Sequence, residues 1–442
     1  MQRHWLTSAL AALALTAAPV LADEQAPPGN TPPAPETPVA QSGSGQQAAP
    51  AAPAPEKPGE QEAPAAPAPP AEAKPAPAGT RVAQTPPAQP TPTGGAQTGQ
   101  PGEKSEKKPE PPPPPRFTYG GSADFYFETN FNEPHTGKNV YRAFDIKDEH
   151  GPHLGLIDLW AQYARNPVGG RIDVDFGPTA RLVNAFEPSH SDVWEHIQQV
   201  YVSANLDGKK GRTYVDLGKW VTPAGFEVIE PRDNWLYSRG LLFNLAIPFY
   251  HLGGRLYHYF NDTDYVMVAG HRGWNAVGDP GHSPGFILAG SKALNSKMTF
   301  TGNFLGGDEP GPTGSNDFRS LGDLILAYNP TAKTSYALNL DAAGQSGANW
   351  FGLGAHAKFS FTPKQYVAFR AEVMRDNGGL ISGSTQTLAS LSLGYTYLFN
   401  KYAQARLEAR HDFGTKSTFP DEAAGSFSAN QTTVLVSAIL GY

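Results

Sequence analysis

Between Trp220 and Phe243 the sequence reads WVTPAGFEVIEPRDNWLYSRGLLF. It places Glu227, Glu230, Arg232, Asp233 and Arg239 within thirteen positions, among tryptophan, tyrosine and phenylalanine. Carboxylates and guanidinium groups at this density suit acid–base chemistry in a cleft, the gating of a ligand, or a charged constriction inside a pore. A second set of charges is regularly spaced. Arg370 and Glu372 are two residues apart, as are Arg406, Glu408 and Arg410, so each group shares one face of an extended strand. Between them Ser390, Ser392, Gly394 and Thr396 turn small residues the same way. Such a wall is either a charged ladder that acts on permeating ions or an ion-pair lattice that stiffens the wall, and the two can coexist.

Catalytic and metal readings find little purchase. The histidines show no HExxH spacing, and the chain has no GxSxG elbow. His282–Ser283 is the nearest candidate for a membrane-embedded hydrolase and reads as loop polarity. His251 and His258 are seven apart, which puts them on opposite faces of a strand and not in a ligand pair. Asp173 and Asp175 share a face and could take a cation, but they read better as solvated lining. No catalytic residue, metal site or cofactor is expected. The chain has 34 Lys and Arg against 41 Asp and Glu, so no basic bias points to nucleic acid. It has no cysteine, which excludes a disulfide framework, thiol chemistry and a cysteine-linked lipid anchor.

The elements that must position these charges are strands. In FTYGGSADFYFET, RIDVDF, QVYVSANL, GLGAHAKFSF and AQARLEARH, apolar residues alternate with polar ones at period two. A soluble sheet alternates as well, so the connections discriminate better. Tight turns are expected at 166–170, 206–211, 260–264, 294–297, 329–333, 362–365 and 399–402. Longer polar loops are expected at 131–151, 180–196, 220–248, 273–283, 306–317 and 413–428, with shorter ones near 343–346 and 376–384. Short and long connections take turns, as in an up-and-down transmembrane barrel with periplasmic turns and extracellular loops. The fold class expected is all-β: a transmembrane antiparallel β-barrel of about 16 strands. Aromatics near strand ends (Tyr163, Trp220, Tyr257, Tyr259, Tyr328, Tyr395, Tyr397 and Phe399) suit interfacial girdles.

The two ends of the chain agree with this reading. Residues 1–22, MQRHWLTSALAALALTAAPVLA, read as a cleaved secretory signal peptide. Residues 23–115 hold well over half of the 43 prolines and little that can be buried, so a disordered Pro/Ala-rich linker is expected. The barrel itself should occupy 116–442. In the last residues, QTTVLVSAILGY, the alternate positions Val434, Val436, Ala438, Leu440 and Tyr442 form an apolar face that ends on an aromatic. Such an end resembles the closing strand of bacterial outer-membrane barrels.

The stretch GKWVTPAGFEVIEPRDNWLYSRGLLFNLAIPFYHLGGRLYHYF resembles the OmpL-like β-barrel porins (porin-2 family) of Gram-negative bacteria. They share a strand ending in Gly-Lys, a P-x-G-x-E loop, a segment like YSRGLLF and an IPFYH-G strand. The resemblance implies a pore protein in the outer membrane, surrounded by outer-membrane lipid, and supplies no catalytic residues. The reading that follows is a porin with a water-filled channel for passive diffusion of small hydrophilic solutes or ions, because a barrel of this size is too wide for side chains to fill. Its bore is expected to be narrowed by a loop at about 220–248. There NWLYSRGLLFNLA would form a short helix, and Glu227, Glu230, Arg232, Asp233 and Arg239 would face Arg370, Glu372, Arg406, Glu408 and Arg410. The alternative is a structural barrel whose Pro-rich stalk, residues 23–115, contacts the cell wall. The sequence leaves monomer and homo-trimer both open.

Overall fold

The structure is a computed structural model. It describes residues 116–442, apart from 143, 146–151, 166, 186–192, 278–283 and 312–315. The expected leader and linker, and His282–Ser283, lie outside the described residues. Sixteen of the strands close into one barrel. In chain order the strands are β1 (Phe117–Asn130), β2 (His153–Tyr163), β3 (Val168–Phe176), β4 (Ile197–Asn205), β5 (Thr213–Val221) and β6 (Tyr250–Tyr259). There follow β7 (Tyr265–His271), β8 (Gly285–Asn295), β9 (Met298–Pro310), β10 (Asn316–Thr331), β11 (Thr334–Gln345) and β12 (Ala348–Thr362). The last are β13 (Gln365–Asn377), β14 (Gln386–Leu398), β15 (Ala403–Gly414), a two-residue hairpin β16 (Phe419–Pro420) and β17 (Phe427–Ser428), and β18 (Asn430–Gly441).

Each barrel strand pairs antiparallel with its neighbours, and β18 closes on β1 with Phe125 opposite Ala438. Closure leaves no sheet edge, so the backbone can cross lipid with its hydrogen bonds made. Among the described residues no helix is long and apolar enough to cross a membrane. The alternation expected from sequence appears as two surfaces. Val202, Leu217, Leu393 and Val436 point outward and are exposed, while Asp216, Arg370, Ser392 and Arg410 point inward and are buried.

The loop and girdle expectations need three corrections. Strands β9 and β10 continue to Pro310 and from Asn316, so most of the loop expected at 306–317 is ladder. The connection expected near 343–346 is a two-residue turn, Ser346–Gly347. Both residues have positive φ, as a tight hairpin turn between twisted strands requires. Trp220, Tyr257 and Tyr259 are buried in the lumen and are not girdle residues. On β6 the outward positions belong to Leu256 and His258, which fixes their neighbours inward.

Candidate functional site

The inner surface has two chemically different walls. One runs over β12–β15, β18 and β1, where many inward positions are charged or polar, including Asp124, Glu128, Arg370, Glu372, Arg406, Glu408 and Arg410. The other spans β7–β10, where Tyr265, Met267, Ile287, Leu305 and Leu321 point inward and are buried. There the outward residues are apolar too, as in Val266, Val268 and Leu288. Both walls are covered by one segment, the connection between β5 and β6.

This segment is pinned at its base by the Thr222 N–H donating to the Phe249 carbonyl at 2.9 Å. It descends past β10 and β11, where the Gly225 N–H donates to Asp323 (3.1 Å) and the Phe226 N–H to Asn339 (2.9 Å). It turns at Val228–Asn234, with the Asn234 amide bonded to the backbone of Val228 and Glu230. At the turn Arg232 donates to the Lys401 carbonyl (2.7 Å), which lies between β14 and β15. The Lys401 turn belongs to the rim opposite the one the segment leaves, so the loop crosses the lumen from one rim to the other.

On its return the loop backbone is held by the charged wall. Arg406 donates to the carbonyls of Leu236 and Asn234, each at 2.8 Å. Glu408 accepts from the N–H groups of Tyr237 (2.7 Å) and Ser238 (3.1 Å) and from the Ser238 hydroxyl. Arg410 donates to the Arg239 carbonyl (2.7 Å), and Glu372 accepts from the N–H groups of Leu241 (2.8 Å) and Leu242 (3.2 Å). Arg370 is shared by Glu227, the Ser238 carbonyl and hydroxyl, and Ser392. Small wall residues make room for this approach. A Cβ on Gly394 would meet a Leu236 methyl at 2.5 Å, and one on Gly352 would meet Leu242 at 2.9 Å.

The helix expected through Asn234–Ala246 is therefore replaced by irregular chain and one π-helical turn, Leu242–Ala246. The reason is competition for backbone donors: Glu408, Glu227 and Glu372 take the N–H groups of residues 237, 238, 240, 241 and 242. In and around that turn the loop's Leu241, Phe243, Ile247 and Phe249 join the same apolar cluster as Met267, Ile287, Leu305 and Leu321 of the other wall. Charged wall and apolar wall thus hold opposite chemical faces of one loop.

The ten charged residues singled out in the sequence divide in space. Glu227 meets Arg370 at 2.6 Å. Burial opposes its charge, yet Arg370 in the first place, with His356 and the Gly240 N–H, holds the Glu227 carboxyl below its ordinary value. Arg239 is buried among the loop's own carbonyls, Val228, Ile229 and Tyr237, and burial lowers its pKa. Glu230 lies against the opposite side of the lumen, accepting from Gln198 of β4 at 2.6 Å. Arg232 reaches the rim, and Asp233 is exposed. Arg370, Glu372, Arg406, Glu408 and Arg410 all contact the loop.

A second inward segment was not anticipated. In the β1–β2 connection, Arg142 pairs with Glu128, Asp145 and Asp412, each at 2.8 Å. Burial works against the Arg142 charge, but these three carboxylates hold its pKa above the usual value. The Phe144 ring is tilted against Phe243 and edge-on to Phe249, and Arg239 lies 4.4 Å from its centre. The signal available was the run YRAF in a loop that otherwise reads as polar. Among the described residues no three His, Asp or Glu side chains are placed to hold a metal ion.

The family model described as "Putative beta-barrel porin-2, OmpL-like" matches residues 116–441. A search of the curated proteins finds no match. Solved structures similar to this chain include the outer-membrane channel DcaP of Acinetobacter baumannii (10% identity, 74% of this chain and 97% of that one, TM-score 0.49). An anion-selective porin from Comamonas acidovorans gives 11% identity, 74% and 99% coverage, and a TM-score of 0.49. A loop-deleted OmpT of Vibrio cholerae gives 10%, 74% and 99%, and 0.47. The assignment of the chain rests on the family match, and its fold on the closed barrel itself.

Proposed function

Because this chain belongs to the OmpL-like β-barrel porin-2 family, and so is an outer-membrane channel for small solutes in Gram-negative bacteria, we propose that its bore is set by the inserted loop, residues 222–249. In this reading Glu227, Glu230, Arg232, Asp233 and Arg239 are the constriction residues. Arg370, Glu372, Arg406, Glu408 and Arg410 are the wall that holds them in place. The observation that carries the reading is the set of hydrogen bonds from that wall to the loop backbone. Side chains that bond backbone groups fix a loop's path whatever its own side chains do, and a fixed path gives a fixed bore. The protein works as a passive channel without bond-making chemistry.

In this reading the passage runs beside the loop and its neighbouring charges, so the solutes are small and hydrophilic. Conductance of the purified barrel in planar bilayers tests the reading. Stable open steps with a sharp size limit are expected. A barrel that inserts and stays silent would sink the channel with this loop in place and favour an anchoring role for the Pro-rich segment.

A further inference from the structure

Beside the charged wall, on β2 and β3, lies a group of carboxylates that the loop network does not neutralise. Asp158 of β2 and Asp175 of β3 are directly opposite each other across the strand pair, and both are buried. Side chains so placed stand about 5 Å apart at Cβ, and like charges there repel. Both oxygens of Asp175 and one of Asp158 meet no donor group, and the two carboxyls lie within hydrogen-bonding reach of each other. Arg171, the nearby cation, is committed elsewhere: its Nε and Nη2 bond both oxygens of Asp173 at 2.6 and 2.8 Å.

Two more oxygen groups lie on this side, one from the loop and one from β4. Glu230 carries its charge to this side, and Gln198, whose amide nitrogen donates to Glu230, leaves its own oxygen buried without a donor. Asp158, Asp175 and Glu230 make no ion pair among the described residues. Unpaired buried carboxylate oxygens facing one another need either a shared proton or a cation. The donor set consists of hard oxygens alone, which suits calcium or magnesium and not the nitrogen- and sulfur-seeking metals. No three acidic side chains close on a point, so a fully protein-built cage is absent. A cation that keeps part of its water shell and takes one or two carboxylates matches what is there.

We propose that Asp158 and Asp175 bind one partly hydrated divalent cation of the calcium or magnesium class, with Gln198 and Glu230 at its edge. The ion joins the barrel wall to the turn of the inserted loop at Val228–Asn234. The site goes beyond the channel reading and stands whether or not the loop sets the bore.

The test uses the full chain refolded in detergent without lipopolysaccharide, stripped with a chelator and dialysed against calcium chloride and, separately, magnesium chloride. One saturable ion per barrel is expected for one of these metals, with affinity at least tenfold weaker in Asp158→Asn/Asp175→Asn. Glu230→Gln, which leaves the strand pair intact, should weaken binding several-fold. Circular dichroism of the stripped variants confirms that they fold, and the isosteric amides remove a repulsion instead of a packing contact. Equal binding by the double variant would overturn the proposal, as would no saturable binding by the parent, which would assign the pair a shared proton.

Discussion

Replacing Arg370 by methionine removes a wall side chain that bonds both legs of the loop while keeping most of its volume. In the structure the guanidinium is fully buried and bonds Glu227 and the Ser238 carbonyl at 2.6 Å, and the hydroxyls of Ser238 and Ser392 at 2.9 and 3.0 Å. Its Nε lies 3.3 Å from Glu372. Without it, Glu227 keeps the Gly240 N–H and Glu372 keeps the N–H groups of Leu241 and Leu242, but both lose their shared cation. Breaking a buried pair by removing one partner costs about 3–5 kcal/mol. At about 1.4 kcal/mol per tenfold, the population of detached loop should rise roughly a hundredfold to a few thousandfold.

Single-channel recording reads this as frequent larger steps, and trypsin reads it as faster cleavage after Arg232 and Arg239. Glu227→Gln combined with Arg370→Met should behave better than Arg370→Met alone, because removing both members of a buried pair relieves the uncompensated charge. The double-mutant cycle isolates that coupling. Conductance and proteolysis of Arg370→Met equal to the parent would refute the claim that this wall holds the loop.

Gly225→Ala should loosen the base of the loop, since Gly225 has φ of 91° and its new Cβ would lie 2.5 Å from the Ile247 Cδ1; open-step size in bilayers checks it. Tyr237→Phe strips the buried Asp124 of the phenolic donor, at a cost of about 1–3 kcal/mol, measured by urea unfolding in detergent. Val436→Arg places a charge on the lipid face of β18 and should cost about 2–4 kcal/mol in folding into vesicles, while leaving the bore of the folded fraction unchanged. The Glu227 carboxyl is held below its ordinary 4.5, so its contribution to loop anchoring is complete above that pH and is lost as pH falls through the lower folded value. The part of the acid response of the channel steps that Glu227→Gln abolishes should therefore appear only below pH 4.5.

The barrel was legible because lipid on one side and polar lumen on the other impose strict alternation, as along β15, where Leu407 is exposed and Glu408 buried. The register of short and long connections made the count of strands readable for the same reason. Alternation failed where both surfaces are apolar. In YVMVAGH, Tyr265 and Met267 face inward and Val266 and Val268 outward, and nothing in the residue types separates them. An inner apolar wall exists only because an apolar loop covers it, and that is a long-range fact.

The charged residues of the site were visible by type and spacing, but their partners were not. Arg406 and Glu408 were read as groups facing water or one another, whereas most of their bonds go to the loop backbone. Backbone groups leave no mark in a sequence. Glu230 could not be separated from Glu227 for a similar reason: the turn at Asn234 sends the two to different walls.

The central claim is that residues 222–249 set the bore of a conducting barrel. It is tested most directly by recording single channels from the intact protein and from a chain lacking residues 225–240. That deletion removes the turn and most of both legs that the wall holds, leaving the Leu241 and Leu242 contacts with Glu372. Small steps from the intact barrel and clearly larger, less selective steps from the shortened one are predicted. Steps of the same size and the same ion preference from a folded, shortened barrel would contradict it.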